Sequence, residues 1–395
     1  MLMGDDLRIR RVVTHELQWT MPDLGRDETG FNPVYQPGAQ ARNTGYVITI
    51  ETDAGITGEY AWSQGGKGVS STQVAMVARY LIGRNALDRE LIWNDLKRAL
   101  RKNDRFGISP IDIALWDIAG KRFGAPIHAL LGTYRRRLPA YASTYFGDEN
   151  GGLDSPQAFA EFAVRCREMG YPAFKIHGWS GGNIAREVAT VLATRAAVGP
   201  EMDLMLDPAC EYQTFAEALK VGRACDEANY LWYEDPYRDG GVSAFAHRKL
   251  RQLIRTPLLL GEHVRGLEAH VDQIVADGTD FVRADPDYDG GITGVMKIAH
   301  AAEGFGLDCE IHASGPAQRH CMAAIRNTNY YELALIAPGL DPKSRHYRVY
   351  ADGYADDLDS IDSDGCLTVP DGPGLGVTLD WDWIRSRQTG SAVFE

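Results

Sequence analysis

The feature that most constrains the fold is a repeated unit made of a short apolar run, a turn and an amphipathic stretch. Seven runs follow one another from about residue 136 onward: PAFKIH (172–177), DLMLDP (203–208), YLWYEDP (230–236), PLLLGEH (257–263), DFVRADP (280–286), LDCEIHAS (307–314) and YYELALIAP (330–338). Each run is continuously apolar rather than alternating, which is typical of parallel strands that are buried on both faces. Strands that alternate with helices in this way predict a parallel sheet covered by helices.

Helix signals lie between the runs. Ser155 can cap one helix, and Thr214 with Glu217 forms a capping box ahead of another. With RRRLPAYASTY (136–146) as a first strand, the seven units predict a closed eight-stranded barrel. We assign this barrel to residues 136–345.

Residues 1–135 follow a different pattern. RIRRVVTHELQWTMP and GYVITIETDAGITGEYAW indicate strands on either side of a polar segment, and helical patterns follow at 71–81, 87–100 and 110–123. These features predict a separate α+β domain. The tail, residues 346–395, contains the turn-rich stretch DGPGLGVTLDWDWI, which we expect to return to that domain rather than to form another barrel unit.

Eight ionisable side chains lie in the runs, and all but the last close their strand: Lys175, His177, Asp207, Glu234, Glu262, Asp285, His312 and Glu332. The carboxyl ends of barrel strands form the active-site face of such folds. Eight charges at one mouth are costly unless a metal ion and a charged substrate compensate them. The repetition from strand to strand therefore favours an active site over eight unrelated solvated strand ends.

Composition excludes several classes of function. The formal charge is −13, from 41 Lys and Arg against 54 Asp and Glu, which disfavours nucleic acid and anionic membranes as partners. MLMGDDLRIRR lacks the apolar core of a signal peptide, and no run of about 18 apolar residues occurs, so we expect a cytoplasmic protein. The six cysteines are scattered without any C-x-x-C pair, which argues against a disulfide framework or a thiolate zinc site.

Several segments, in their order and spacing, resemble the mandelate racemase-like branch of the enolase superfamily. They include VITIETDAGITGE (47–59), ISPIDIALWDIAGKRFGAPIHALLG (108–132), FKIHGW (174–179), LMLDP (204–208), YEDP (233–236), GEH (261–263), ADPDYDGGITGVMKIAHAAEGFG (284–306), EIH (310–312) and GPGLGVTLD (372–380). The resemblance covers nearly the whole chain. It implies an α/β fold, a modified TIM barrel of the (β/α)7β type with an N-terminal α+β capping domain completed by the C-terminal tail. It also implies proton abstraction next to a carboxylate, with one Mg²⁺ per active site.

By this resemblance the metal ligands are Asp207, Glu234 and Glu262, one at the end of each of three successive strands. Oxygen ligands suit Mg²⁺ and leave octahedral positions for water and for two substrate oxygens. Loss of a proton alpha to a carboxylate builds a second negative charge on those oxygens, which a divalent cation stabilises.

Asp285 and His312 resemble the Asp–His dyad of the family. A carboxylate that binds one imidazole nitrogen leaves the other nitrogen free to take or give a proton near neutral pH. Asp287 and Asp289 are nearby rivals of Asp285, which we prefer because its place before Gly290-Gly291 fits the family motif.

Lys175 and His177 fill two positions where many relatives have Lys-x-Lys. Residues two apart on a strand face the same side, so both side chains can point into the mouth. By position, His177 matches the acid or base on the face opposite His312, and Lys175 matches the residue near the substrate carboxylate. The histidine departs from the family pattern. The alternative is that His177 only binds a substrate hydroxyl and that Lys175 is the base.

Further positions are candidates for contact with the substrate. Glu332 resembles the acid that hydrogen-bonds the substrate carboxylate, for which it must be protonated or bridged. Arg283 either contacts substrate or forms an internal salt bridge with an acid of the ring. His263 directly follows the ligand Glu262, so we expect its side chain to point away from the metal; contact with the substrate is the alternative. The polar segment Met21–Asn43 is expected to be a loop that closes over the distal part of the substrate.

Within this polar segment Asn32 is a candidate substrate contact, as is Trp62 at the end of the following strand pair. The polar and aromatic composition of the segment fits a polyhydroxylated anion, such as a sugar acid or another hydroxy acid. By the same family resemblance, we expect an even-numbered homo-oligomer.

The resemblance constrains the first half of the reaction, the proton abstraction, more closely than the second half. We favour dehydration of a sugar acid, because the branch contains many such dehydratases and a histidine suits protonation of a departing hydroxide. A racemase, an epimerase or a lactone cycloisomerase would use the same ene-diolate intermediate. A metal-dependent hydrolase would normally have His-x-His on the first strand, where this chain has Tyr141-Ala142-Ser143. A binding protein with a vestigial site is disfavoured by the intact ligand set.

Overall fold

The computed structural model describes residues 7–63, 66–340 and 348–395. The predicted domain boundary between residues 345 and 346 lies outside these ranges, and the three predicted domain ranges stay predictions. Among the described residues, no helix combines the length and the apolar character that crossing a membrane requires.

The N-terminal part contains an antiparallel sheet followed by helices. Its strands are β1 (Ile9–Arg26), β2 (Pro33–Thr52) and β3 (Thr57–Trp62), and its helices are α1 (Lys67–Val77), α2 (Arg89–Ala99), α3 (Ile108–Phe123) and α4 (Ile127–Leu131). Gly55, with φ 75°, makes the tight turn between β2 and β3. The predicted helical patterns correspond to α1, α2 and α3, with ends shifted by a few residues.

The expectation that Met21–Asn43 is a loop is wrong. β1 and β2 pair from Met21 opposite Ala41 to Pro22 opposite Gln40, and again from Leu24 opposite Tyr35 to Arg26 opposite Pro33, with a register shift between the two stretches. The backbone groups of a two-stranded ribbon pair with one another, and Met21, Leu24 and Val34 bury their side chains, so a segment that is mostly polar can form it. We call residues 21–43 the hairpin arm.

Within the described residues, eight parallel strands form the barrel. They are β4 (Arg137–Thr144), β5 (Ala173–Ile176), β6 (Asp203–Leu206), β7 (Trp232–Glu234), β8 (Leu258–Leu260), β9 (Phe281–Ala284), β10 (Asp308–Ile311) and β11 (Tyr331–Ile336). Hydrogen bonds join them in the order β11-β4-β5-β6-β7-β8-β9-β10. The two outer strands of this order, β10 and β11, also contact each other. The predicted barrel is confirmed.

Helices follow the barrel strands, as the sequence predicts. They are α5 (Pro156–Glu168), α6 (Ile184–Val198), α7 (Phe215–Glu227), α8 (Ala244–Arg251), α9 (Gly266–Val275), α10 (Gly291–Gly304) and α11 (Pro316–Ala324). The side chain of Ser155 accepts a hydrogen bond from the amide of Ala158 at the start of α5. The capping box of Thr214 and Glu217 forms at the start of α7.

The last part of the chain contacts both sheets. β12 (Cys366–Thr368) pairs with β4 of the barrel, and after α12 (Trp381–Arg387) the strand β13 (Gln388–Phe394) pairs with β1. The tail therefore completes the capping sheet in the order β13-β1-β2-β3. The expected return of the tail to the cap is observed, and the short pairing with the barrel was not expected.

A small apolar cluster separates the ionisable groups from the opposite end of the barrel. It consists of Tyr141, Ala173, Met205, Trp232 and Leu259, all fully buried. Three of these side chains lie two residues before an ionisable group on the same strand, and therefore on the same face. The carboxyl ends of the barrel strands thus form a charged mouth above an apolar floor. We call these strand ends the barrel mouth.

Candidate active site

The barrel mouth brings the predicted ionisable groups together because most of them lie at or just after the carboxyl end of a parallel strand; Glu332, the second residue of β11, is the exception. Lys175 lies in β5, Glu234 is the last residue of β7, and Asp207, Asp285 and His312 each follow their strand by one residue. Parallel strands end at the same edge of a sheet, so their terminal side chains converge on one centre.

Three carboxylates form a cluster that can bind a metal ion. Asp207, Glu234 and Glu262 each offer an oxygen, and these oxygens lie within 4.8 Å of one another. Asp207 and Glu234 are buried, whereas 19% of the Glu262 side chain is exposed. An all-oxygen, triply negative donor set with access from one side is the chemistry that Mg²⁺ prefers in proteins.

Burial and the surrounding charges shift the pKa values of two of these carboxylates in opposite directions. Burial would raise the pKa of Asp207, but the ammonium group of Lys175 and the imidazole of His177 hold it below its usual range. Burial raises the pKa of Glu234 in spite of Arg283 and Lys175 nearby. Without a cation, the cluster therefore favours binding of positive charge.

Lys175 is the central cation of the barrel mouth. Its ammonium nitrogen donates to Asp207 and to Glu234, both at 3.1 Å, and lies 2.9 Å from Oε1 of Glu332. Burial would lower the pKa of Lys175, but Glu234 and Glu332 outweigh it and raise the pKa well above the ordinary value. Lys175 is consequently protonated while these carboxylates are uncompensated.

His177 faces the cluster from the side of β5. Its Nδ1 lies 2.6 Å from the carbonyl oxygen of Thr144, which can only accept, so Nδ1 carries the proton. Its Nε2 lies 3.3 Å from Oδ2 of Asp207. Nε2 is therefore the nitrogen of His177 that faces the barrel mouth.

Asp285 and His312 form the predicted dyad, with Nδ1 of His312 2.6 Å from Oδ2 of Asp285. The amide of the rival Asp287 donates to Asp285, and the amide of Asp285 donates to the rival Asp289, so both rivals orient the dyad from behind. Burial would lower the pKa of His312, but Glu262 and the Asp285 hydrogen bond raise it to about 10. Nε2 of His312 points to the mouth, 3.5 Å from Glu262.

Glu332 and Arg283 form ion pairs with charged neighbours within the barrel mouth rather than facing open space. The guanidinium of Arg283 lies 2.8 Å from Glu234 and 3.1 Å from Glu332, donates to the hydroxyl of Tyr141, and has no exposed surface. Burial would raise the pKa of Glu332, but Lys175 and Arg283 hold it well below its usual range. Glu332 is bridged rather than protonated. The geometry favours the internal salt bridge for Arg283 over a substrate contact.

The other three predicted substrate contacts lie in three different parts of the molecule. His263 is 37% exposed, and its Nε2 lies 3.9 Å from Oε1 of Glu262, so the expectation that it points away from the carboxylate cluster is wrong. The amide of Asn32, near the tip of the hairpin arm, donates to Ser180 and Glu211 on loops after β5 and β6. Trp62 is 4% exposed and stacks on Tyr46 in the cap. Asn32 therefore fastens the hairpin arm to the barrel, and Trp62 belongs to the core of the cap.

Sequence reasoning missed three residues at the mouth. Tyr60 of the cap donates to Asp287 at 2.6 Å, and the ring of Tyr288 lies 5.6 Å from that of His312. Asp235 is buried directly beside Glu234. Adjacent residues on a strand normally face opposite sides, so strand periodicity gave no signal for Asp235. Its φ of 31° breaks that alternation.

The fold and the site together define a class of protein: an α/β barrel with an antiparallel cap, whose strand ends carry a three-carboxylate cation-binding cluster beside an Asp–His dyad. The chain belongs to the mandelate racemase/muconate lactonizing enzyme family of the enolase superfamily. Residues 158–383 match the family model described as enolase C-terminal domain-like, and residues 34–132 match the mandelate racemase/muconate lactonizing enzyme N-terminal domain. The resemblance identified in the sequence is confirmed.

Proteins similar to this chain are named for different activities within this family. The chain is 30% identical over 353 residues to a D-galactarolactone cycloisomerase of Agrobacterium fabrum, covering 86% of this chain and 90% of that protein. It is 28% identical over 331 residues to an L-talarate/galactarate dehydratase of Salmonella typhimurium, covering 82% and 77%. The crystal structure of D-glucarate dehydratase from Agrobacterium tumefaciens complexed with magnesium matches with a TM-score of 0.85 and 29% identity, covering 98% of this chain and 100% of that one.

Proposed function

We propose that this protein is an acid-sugar dehydratase, which removes the proton alpha to the carboxylate of a sugar acid and then eliminates water from the β position. The observation that carries the proposal is that the Asp285–His312 dyad and His177 both aim a ring nitrogen at the carboxylate cluster. Relatives named as dehydratases of galactarate, xylonate, gluconate and arabinonate support the same reaction.

We propose Asp207, Glu234 and Glu262 as the ligands of one Mg²⁺ ion. When bound, Mg²⁺ supplies a Lewis acid for the carboxylate oxygens on which negative charge develops. Lys175 contacts Asp207 and Glu234 directly, so it adds a fixed positive charge beside the metal site, and Glu332 holds it in place. Arg283 holds Glu332 and Glu234 in turn, so its role is to position both acids.

The two histidines divide the proton transfers between them. Because Asp285 accepts the Nδ1 proton of His312, Nε2 of His312 is the atom that takes or gives a proton at the mouth. The Thr144 carbonyl fixes His177 in the same tautomer, so its Nε2 is also directed at the reaction centre. We assign one histidine to the alpha carbon and the other to the departing hydroxide. The alternative, with Lys175 as the base and His177 on a substrate hydroxyl, stays open.

A second candidate function is lactone cycloisomerisation or epimerisation. It is favoured by the 30% identity to a D-galactarolactone cycloisomerase over most of both chains. Two histidines could also serve the two faces of one carbon, as an isomerase requires. The two candidates share proton abstraction and differ only in the fate of the ene-diolate that it produces.

A substrate screen separates the two. Purified protein with Mg²⁺ is incubated with mono- and diacid sugars and with their lactones, and 2-keto acid is measured. We expect 2-keto acid from at least one sugar acid, and its loss after exhaustive chelation. Lactone opening or an epimer without 2-keto acid would favour the isomerase, and full activity after chelation would contradict the metal assignment.

The assembly and the compartment are also proposals. We propose an even-numbered homo-oligomer in the cytoplasm, acting on a small anionic hydroxy acid or sugar acid without nucleic acid or membrane. The net charge of −13 supports the absence of polyanionic partners. Light scattering at working concentration tests the assembly, and a clean monomer mass would contradict it.

A further inference from the structure

Asp235 is a buried carboxylate that the proposed reaction does not use. It is 1% exposed, and neither of its carboxylate oxygens has a hydrogen-bond partner among the described residues. A buried carboxylate without a partner is strongly disfavoured, because it loses its hydration and gains nothing in exchange. Either a proton or a cation must compensate it.

Two neighbours of Asp235 offer ligand atoms. Nε2 of His263 lies 3.8 Å from Oδ2 of Asp235 and 3.9 Å from Oε1 of Glu262, and one ligand atom from each residue lies within 4.8 Å of the others. These separations are too long for hydrogen bonds. They are suited to a metal ion that binds each atom at about 2.0–2.2 Å.

The local backbone directs Asp235 into this cluster. Its φ of 31° turns the side chain out of the strand alternation that begins at Glu234. A glycine pair covers the cluster: a Cβ at Gly241 would lie 2.6 Å from Oδ1 of Asp235, and one at Gly240 would lie 3.2 Å from Cβ of His263. The loop after β7 therefore lies directly over the cluster, and His263 remains 37% exposed as its open side.

The excess of negative charge at the barrel mouth favours the binding of a second cation. Six carboxylates meet there, namely Asp207, Glu234, Asp235, Glu262, Asp285 and Glu332. Five of them lie within 3.5 Å of a nitrogen of Lys175, Arg283 or His312. Asp235 is the exception, and its uncompensated charge is unfavourable at a site that must also accept an anionic substrate.

We propose that Asp235, Glu262 and His263 form a second divalent-cation site, which shares Glu262 with the first. One imidazole and two carboxylates favour a transition-metal ion such as Mn²⁺ or Zn²⁺ over Mg²⁺. The site goes beyond the proposed function, since it requires neither dehydration nor any particular substrate. It also assigns His263 to a metal ion instead of to the substrate.

Counting bound Mn²⁺ tests the site, because Mn²⁺ can occupy both oxygen-only and mixed nitrogen–oxygen sites. Equilibrium dialysis of the full chain against Mn²⁺ should give two ions per chain for the wild type. Asp235→Asn and His263→Gln should each give one. Asp207→Asn, which removes a ligand of the first site alone, should also leave one. His300→Gln, an exposed histidine on α10, is the matched control and should keep two.

Electron paramagnetic resonance distinguishes which ion is lost. In the wild type, two Mn²⁺ ions that share Glu262 should be spin-coupled, and each single-site variant should show an uncoupled Mn²⁺ signal. Coupling to an imidazole nitrogen should persist in Asp207→Asn and disappear in His263→Gln. One ion per chain in the wild type, with Asp235→Asn and His263→Gln unchanged, would overturn the second site and indicate that Asp235 carries a proton. That result would leave the first site and the proposed reaction untouched.

Discussion

The barrel mouth carries the candidate active site, and the hairpin arm contacts the loops beside it. Different interactions hold these two regions in place. At the mouth, Lys175 contacts three carboxylates and has no exposed surface. In the arm, Asn32 fastens the tip to the barrel through hydrogen bonds of its neutral amide, and the neighbouring Phe31 is 80% exposed. A buried ionic network is rigid and costly to rearrange. The base of the arm is also buried, through Met21, Leu24 and Val34, but its tip is held by a few hydrogen bonds that open more readily. We propose on this basis that the mouth performs the chemistry and that the arm controls access.

Removal of a metal ligand at the mouth should have the largest effect. We expect Glu234→Gln to lower turnover by at least about a thousandfold, because the cluster loses one of three charges that hold a cation. Added Mg²⁺ should raise the thermal midpoint of the wild type by mass action and should raise that of the variant less. Calorimetry with and without Mg²⁺ measures this. Glu201→Gln, at an exposed position, serves as the control, and equal activity of both variants would contradict the ligand assignment.

Replacement of the dyad histidine should come next. His312→Asn should lower 2-keto acid formation by about 10² to 10⁴-fold, which is the usual contribution of a positioned acid or base. Exchange of the alpha proton with D₂O can persist if His177 or Lys175 serves as the base. Proton NMR follows both processes in one sample. Unchanged 2-keto acid formation would remove the dyad from the mechanism.

The pH dependence of the unfolding free energy should distinguish the barrel mouth, which contains His312, from the hairpin arm. Burial would lower the pKa of His312, but Glu262 and Asp285 raise it to about 10 in the absence of metal, against about 6.5 in an unfolded chain. The folded state therefore binds the extra proton between these values. The stabilisation is fully present below about pH 6.5 and is lost as the pH rises toward 10.

Urea unfolding in chelator at pH 7, 8 and 9 measures this dependence. Relative to His312→Asn, the wild type should lose about 1 kcal/mol of unfolding free energy per pH unit over this range. Asn32→Ala, in the hairpin arm, should keep the wild-type slope because it leaves the dyad intact. A slope in His312→Asn equal to that of the wild type would show that His312 is not protonated in the folded protein.

The smallest effect is expected in the hairpin arm. Asn32→Ala removes hydrogen bonds to Ser180 and Glu211, each worth about 0.5–1.5 kcal/mol. KM should rise by about three- to tenfold while kcat changes little, because the arm opens more often but the mouth is intact. Steady-state kinetics beside Gln157→Ala, an exposed control on α5, measures the split. An equal loss in kcat would place the arm in the chemistry instead.

The same contrast explains what could be predicted from the sequence. Asp207, Glu234 and His312 were found because each ends a buried parallel strand, and the position of a strand end fixes the direction of its side chain. The hairpin arm was predicted as a loop because a polar ribbon of two strands has no periodic signal. Asp235 was missed because a positive φ, which no local pattern announced, turns it into the mouth. The ion pairs of Arg283 depend on contacts between distant strands, so the sequence left two alternatives open.

The most direct test of the account is the fate of the alpha proton in the wild-type enzyme. Purified protein is incubated with Mg²⁺ in D₂O and the sugar acid that the substrate screen selects, and proton NMR follows both substrate and product. We expect Mg²⁺-dependent formation of a 2-keto acid with loss of the alpha and β proton pattern of the sugar acid, and no reaction after chelation. A deuterated epimer as the only product, or an unchanged rate after chelation, would contradict it.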